Sequence, residues 1–344
     1  MIQSPPDILS EAVRARWSLV QSSIWRPDPV LAPDEISVEI ARGLFDQPRR
    51  LDARFLYDER GSRLFEGICA LPEYYLTRTE EEILSIAAQQ IVETTGVEHV
   101  VELGSGFSRK TLHLLEEQVQ QRGGGTYAPV DVSLTALLGS KHSVTGKFPE
   151  IEFTGLCASY EEAIASIDAR LPTLFVFLGS SVGNFDHVAF SRFFKLLERC
   201  MGPRDFLLLG VDRIKPREIL EKAYDDSHGL TAEFILNGFN NVNDLLESNF
   251  DTRKIRYSSR YEPVWQRVEM FGVSMCDQEI ALPALGETFL WREEERILVE
   301  ISRKFDPHRL SRELRFFGLE SLAHFTDPKE WFSLLLFKKG AESP

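Results

Sequence analysis

From about residue 97 to residue 214 the chain alternates short apolar runs with amphipathic stretches. The runs are EHVVELGSG, TYAPVDVS, IEFTGLCASY, TLFVFLGSSVGNF and DFLLLGVDRI. Between them, segments such as SRKTLHLLEEQVQQ and HVAFSRFFKLLERCM carry apolar residues at helical spacing. A strand that is apolar on both faces needs cover on both. The alternation therefore predicts a parallel sheet with helices on each side.

The flanks follow other rules. Residues 34–48 read as a helix, and YDERGS as a loop leading into a short helix and a proline-bounded turn. Thr79, followed by three glutamates, marks the next helix start, because acidic residues favour the positive end of the dipole. Residues 215–304 break the strand–helix rhythm. They open with the helix KPREILEKAYDD, pass through the asparagine-rich LNGFNNVNDLLESNFD, and continue in alternating segments such as YEPVWQRVEMFGVSM and ERILVEISRKF, which read as antiparallel strands. Two C-terminal strands around a turn close the sheet edge. The expected plan is a doubly wound α/β domain over 78–214 and 305–344, with a discontinuous α+β domain from 34–77 and 215–304. Residues 1–33 are expected to form an N-terminal arm.

With 39 basic against 53 acidic residues the net charge is −14, which argues against affinity for nucleic acid or anionic membrane. No apolar stretch approaches the roughly 20 residues that span a bilayer, and MIQSPPDILSEAVRARW has no apolar signal core. Cys69, Cys157, Cys200 and Cys276 lie far apart, as suits a reducing compartment. The histidines are scattered without a ligand spacing, so no metal is expected. A cytoplasmic monomer acting on a small molecule is the expectation.

Ligands of open parallel sheets sit at the carboxyl ends of the strands. The first run ends in Glu102-Leu103-Gly104-Ser105-Gly106, and the second in Asp131, whose carboxylate can accept both hydroxyls of a ribose. A dinucleotide fingerprint needs a third glycine where this chain has Arg109. Glu-x-Gly-x-Gly without that glycine fits S-adenosylmethionine, which has no phosphate to cradle.

The motifs YDERGSRLF, LPEYYLTRTE, VELGSGFSRKT, PVDVS, FLGSSVGNF, AYDDSHG and VEISRKF stand in this order from about residue 50 onward. In that order they resemble the histidine Nα-methyltransferases of ergothioneine biosynthesis. Fungal enzymes that N-methylate a prenylated tryptophan look like relatives. The resemblance implies a Rossmann-like class I methyltransferase sheet, a substrate-binding second domain, and trimethylation of an amino-acid α-amine with S-adenosylmethionine. Carried over by motif, Gly104, Lys110 and Asp131 would hold the cofactor. Where the family reads Gly-Asp-Phe, with the carboxylate at the adenine, this chain has Ala158-Ser159-Tyr160. There Ser159 can make one hydrogen bond and Tyr160 can cover the ring.

On the substrate side the matched positions are Tyr57, Tyr74, Asn184, Tyr224, Met270, Glu300 and Ser302. Tyr57 and Asn184 are expected at the reacting amine. Each position also has a plainer reading: interior tyrosines pack, and Asn184 can cap a helix. Glu300 stands among Ile297, Leu298, Val299 and Ile301, where an unpaired carboxylate is costly. Strand alternation puts Glu300, Leu298 and Ser302 on one face. Asp225 and Asp226 read as surface charges at a helix end. Two alternatives stay open: the same chemistry on tryptophan or another amino acid, and a non-catalytic S-adenosylmethionine-binding module.

Overall fold

The computed structural model describes residues 7–11, 13–28, 33–167 and 171–340. It divides into two compact units, the first built from Met1–Asp28, Leu76–Ile214 and Lys304–Pro344, the second from Pro29–Tyr75 and Lys215–Arg303.

In chain order, β1 (Trp17–Gln21) and β2 (Ile24–Pro27) precede helices α1 (Pro33–Phe45) and α2 (Glu59–Cys69). The long α3 (Tyr75–Thr95) leads into the alternation β3 (His99–Leu103), α4 (Leu112–Arg122), β4 (Gly125–Asp131) and α5 (Leu134–Lys147). It continues with β5 (Ile151–Phe153), β6 (Gly155–Cys157), α6 (Tyr160–Ser166), β7 (Thr173–Phe177), α7 (His187–Cys200) and β8 (Phe206–Asp212). The second unit then contributes α8 (Arg217–Tyr224), α9 (Leu230–Leu246), β9 (Ile255–Glu262), β10 (Arg267–Ser274), β11 (Gln278–Leu282), β12 (Glu287–Trp291) and β13 (Arg296–Arg303). The chain ends with α10 (Pro307–Leu314), β14 (Leu319–Thr326) and β15 (Phe332–Lys339).

The first unit holds one sheet in the order β1-β2-β6-β4-β3-β7-β8-β15-β14, with β5 also paired to β4. From β2 to β8 every neighbour is parallel. The chain steps outward from β3 to β4 and β6, then returns to lay β7 and β8 on the other side of β3. That reversal puts a topological switch point between β3 and β7, where open sheets bind ligands. β15 runs antiparallel to β8 and covers its edge. The doubly wound expectation is met, with the third run broken at Thr154, whose N–H goes to the Tyr127 carbonyl at 2.9 Å.

One helical stripe shows how this sheet is covered. Phe190, Phe193, Phe194 and Leu197 of α7 recur at helical spacing and are fully buried. They join Phe175, Phe177, Leu207 and Leu209 from the sheet in one cluster. Truncating such a phenylalanine to alanine costs about 3–5 kcal/mol.

The expected N-terminal arm differs. Its residues 17–27 form a hairpin, and β2 adds to the sheet in parallel with β6 through Ile24 and Trp25. Trp17 and Trp25 are buried in the sheet's core, so tertiary packing fixes a segment with little periodicity of its own.

Two segments of the first unit also meet where its chain leaves and returns. Arg213 and Phe305 form a parallel bridge. The Phe305 N–H donates to the Asp212 carbonyl at 2.9 Å, and the Ile214 N–H to the Phe305 carbonyl at 3.2 Å. Beside them Lys304 and Asp212 make a fully buried ion pair at 2.8 Å.

The second unit contains a three-stranded antiparallel sheet, β13-β10-β9, and the hairpin β11-β12. The asparagine-rich stretch is helical as far as Leu246, the end of α9. Asparagine is a weak helix former, but here its amides tie the helix down. Asn237 donates to Asp58 Oδ1 at 2.7 Å, Asn241 to the Phe55 carbonyl at 2.8 Å and Asn243 to the Phe250 carbonyl at 2.8 Å.

Candidate active site

At the carboxyl end of β3 the backbone turns sharply and is fastened to β4. Gly104 and Ser105 both donate N–H to the Val130 carbonyl, at 2.8 and 3.1 Å. Gly106 donates to Asp131 Oδ2 and Ser133 to Asp131 Oδ1, each at 2.9 Å. These N–H groups are spread over both oxygens, and the carboxylate still has acceptor positions for a diol. Burial pushes the Asp131 carboxyl above its ordinary value, against the hydrogen bonds from Ser133, Gly106 and Val132.

Glycine is required at 104. Its φ is +70°, and a Cβ there would stand 2.7 Å from the Tyr160 hydroxyl. Over Gly106 nothing lies within 4 Å of where a Cβ would point, so the loop has open space above it. A nucleoside can approach bare backbone at that position.

Tyr160 packs edge-on to Phe177, with centroids 5.2 Å apart, and also meets Phe185 and Phe193. Burial raises its hydroxyl pKa. Ser159 has a different task from the one expected. It is the N-cap of α6 in a full capping box: its hydroxyl accepts from the Glu162 N–H and donates to Glu162 Oε2 at 2.7 Å. The one hydroxyl proton is thereby spent on the helix start.

Asn184 ends a 3₁₀ turn, Ser181–Asn184, beyond β7. The capping role that an asparagine there could fill falls to Asp186, which accepts from Val188 and Ala189 at 2.9 and 2.8 Å. The same turn spells Gly-x-Ser-x-Gly over 179–183, the spacing of a hydrolase nucleophile elbow. It does not serve as one. The left-handed residues are Gly179 and Ser180, with φ +74° and +57°, and Ser181 donates its hydroxyl proton to the Leu178 carbonyl at 2.9 Å.

In the second unit, six of the sequence-derived positions converge. Asp58 caps α2 by accepting from Gly61 at 2.6 Å, and it also receives Asn237. YDERGS is therefore the start of a helix rather than a loop, and Tyr57 is held immediately before the cap. The Tyr57 ring packs edge-on against Phe65 at 5.6 Å and Phe234 at 5.3 Å. Phe65 meets Tyr74, and Tyr74 meets Tyr224 at 5.9 Å. The Tyr224 hydroxyl is hydrogen-bonded to Ser302 Oγ at 2.8 Å. Met270 stands across the ladder from Glu300, and a bulge at Val299 shifts the register beyond that pair, placing Leu298 opposite Phe271. Tyr74 is driven well above its ordinary pKa by burial, with a further push from the ionisable neighbours Tyr224, Cys69, Tyr57 and Glu300, which disfavour a second negative charge there.

Sequence reasoning missed three features here. Tyr257 donates its hydroxyl to the Tyr224 carbonyl, and the alternation of β9 was the signal for it. Asp226, read as a surface charge, is buried and accepts the Leu230 and Thr231 N–H groups at the start of α9. Burial works to raise its pKa, but hydrogen bonds from Thr231, Leu230 and His228 outweigh that and hold it below the ordinary value. Glu80, read as a helix-dipole acid, lies beyond the first turn of α3 and is completely buried.

The profile of a family described as "Histidine-specific methyltransferase, SAM-dependent" matches residues 36–339. The chain belongs to that family. Among its similar relatives is the histidine N-alpha-methyltransferase of Mycobacterium tuberculosis, 34% identical over 301 residues, covering 88% of this chain and 94% of that one. The ergothioneine biosynthesis protein 1 of Neurospora crassa is 32% identical over 302 residues, or 85% of this chain and 34% of that longer protein. A 4-dimethylallyltryptophan N-methyltransferase of Claviceps purpurea is 24% identical over 298 residues, covering 79% and 86%.

The positions read from the sequence for the cofactor stand at the carboxyl ends of the parallel strands, where open sheets bind ligands. Gly104 and Lys110 follow β3, Asp131 ends β4, Ser159 and Tyr160 follow β6, and Asn184 follows β7. The donor set suits the cofactor: acceptors at Asp131 for a ribose diol, an ammonium at Lys110 for a carboxylate, and open backbone at Gly106. No helix among the described residues is long and apolar enough to cross a membrane, and no cluster of three or more His, Cys, Asp or Glu is arranged to hold a metal there.

Proposed function

We propose that this chain methylates the α-amine of L-histidine three times, giving hercynine, the first step of ergothioneine biosynthesis. The observation that carries it is the pairing of Glu300 with Met270 beside the Ser302–Tyr224 hydrogen bond. An imidazole is flat, carries two ring nitrogens, and is selected by polar partners that an apolar side chain leaves unpaired. Glu300 accepts from one ring N–H, Ser302 serves the same ring, and the Met270 thioether suits its face. Tyr74 and Tyr224 take the amino-acid head group, with Tyr224 on the carboxylate.

S-adenosylmethionine supplies an electrophilic methyl on its sulfonium. Gly104, Lys110 and Asp131 hold it, with Tyr160 covering the adenine ring. Ser159 is committed to its helix, with both its hydroxyl and its N–H on Glu162. The amine must lose a proton before each transfer, and none of the residues assigned to it is a strong base. Weak assistance from Tyr57, with release to water, meets that need. Each methyl removes one N–H donor, so contacts to the amine must be replaceable. Asn184 serves the early states and the Tyr57 ring face favours the later cation.

Four cysteines without disulfides agree with a reducing, cytoplasmic setting, and a monomer acting on a free amino acid fits the rest. The test is incubation with S-adenosylmethionine and a mixture of the twenty amino acids, read by mass. A shift of three methyl groups on histidine alone supports the proposal. A shift on tryptophan instead, or none on any amino acid, overturns it.

A further inference from the structure

Glu80 is a buried carboxylate for which neither the fold nor the reading above has a use. It sits in the second turn of α3 with no exposure to solvent. Its two oxygens both receive the Gly179 N–H, at 2.9 and 2.8 Å, and Oε2 also receives the Lys110 ammonium. The sheet makes room for it: a Cβ on Gly210 of β8 would lie 1.9 Å from Glu80 Oε1.

These partners have a shared address. Lys110 lies on the segment that follows β3, and Gly179 on the turn that follows β7. β3 and β7 are the neighbours between which the chain order reverses. Glu80 thus ties together the two lips of the switch point. A buried ion pair is weak evidence for stability, since apolar residues of similar volume often do as well. One placed across a ligand crevice has a different rationale.

We infer that Glu80 is a positioning residue for the cofactor, holding the Lys110 ammonium and the Gly179 peptide in one arrangement at the switch point. The inference rests on Lys110 being a cofactor contact. An ammonium has three donors and rotates freely. Anchoring one donor on Glu80 fixes where the others point, and the carboxylate balances the charge of a lysine that is itself largely buried. Glu102 lies within electrostatic range of both groups, and Lys110 acts on it in the opposite sense to Glu80. Preorganised charge of this kind lowers the ordering cost of binding.

The test combines Glu80→Gln, Lys110→Met and the double variant, with calorimetry of S-adenosylmethionine binding. Glu80→Gln should raise the Kd about 10- to 100-fold, while the KM for the amino acid at saturating cofactor changes less than about twofold. In the Lys110→Met background the same substitution should add little, because the two residues act as one unit. Additive effects in the double variant, or equal losses in kcat and both KM values, would mean that Glu80 only supports the fold and would overturn the inference. So would an unchanged Kd in Glu80→Gln. If Glu80→Gln does not fold, Glu80→Asp keeps the charge but shortens the reach, and its Kd should rise by a similar factor. An unchanged Kd in Lys110→Met marks a different failure: Lys110 is then no cofactor contact, and the reading on which the inference stands falls with it.

Discussion

Met270 and Glu300 face each other across the β10–β13 ladder, and the bulge at Val299 begins immediately beyond them. In the proposed site, a thioether opposite a half-buried carboxylate is soft on one side and hydrogen-bonding on the other. Removing the carboxylate should therefore discriminate among substrates. Glu300→Ala is expected to lower kcat/KM for histidine about 30- to 1,000-fold, or about 2–4 kcal/mol, by leaving a ring donor unpaired. Activity on tryptophan or phenylalanine should hold or rise. Parallel kinetics on the three amino acids checks this, and an equal loss on all would reassign Glu300 to the fold.

Asp131→Ala should weaken S-adenosylmethionine about 10- to 100-fold in calorimetry, through lost charge-assisted hydrogen bonds. The structure adds a second component, since Asp131 also receives the Gly106 N–H. Asp131→Asn keeps an acceptor for that N–H and should fall between alanine and wild type. Unchanged affinity in a folded alanine variant removes Asp131 from the site.

Tyr57→Phe keeps the ring against Phe65 and Phe234 and deletes only the hydroxyl. Dimethylated product should then accumulate, because the hydroxyl is the proposed aid to the last deprotonation. Time courses resolved by methylation state decide the matter. Uniform slowing of every step would make Tyr57 a positioning residue.

Ser159→Ala tests the capping role. Loss of an N-cap costs about 1 kcal/mol, so thermal unfolding should shift down by a few degrees. Cofactor affinity should change less than about threefold, within the scatter of a lost neutral contact. A much larger loss of affinity without a shift in unfolding would give the hydroxyl back to the adenine.

Glu102 yields a pH prediction. Burial pushes it from 4.5 up to about 7, against hydrogen bonds from Thr111 and Tyr127 and the charge of Lys110. The native state therefore holds this proton over a range in which the unfolded chain has released it. The stability linked to it is complete below about pH 4.5 and is lost as pH rises through about 7. Denaturant unfolding across that window should show the decline, and Glu102→Gln should flatten that component. A slope unchanged in the variant would place the titration elsewhere.

The parallel sheet was legible because strands covered on both faces leave apolar runs that nothing else explains. Asp131 was legible for a related reason: it stops such a run. The hairpin of β1 and β2 was not, since four of the five β1 residues are exposed and the chain there carries no alternating signal. α9 was hidden because asparagine's low helix propensity is overridden by ties to Phe55, Asp58 and Phe250. Glu80 was misread because an acid after Thr79 fits a helix start equally well, and only burial separates the two meanings. Residue type and order suggested which side chains belong together. The bond between Tyr224 and Ser302, which spans 78 residues, needed three dimensions.

The Arg213–Phe305 bridge and the Asp212–Lys304 pair bring together the two ends of the excursion from Lys215 to Arg303. For the sheet, that excursion is a loop whose closure is already provided by the sheet's own hydrogen bonds and buried charge. Closure entropy grows only with the logarithm of length, about 0.6 kcal/mol for each doubling. The sheet is thus nearly indifferent to how long the excursion is or what it contains. Strands β9 to β13, with Met270, Glu300 and Ser302 among them, lie in the part of the chain that can be rebuilt most cheaply.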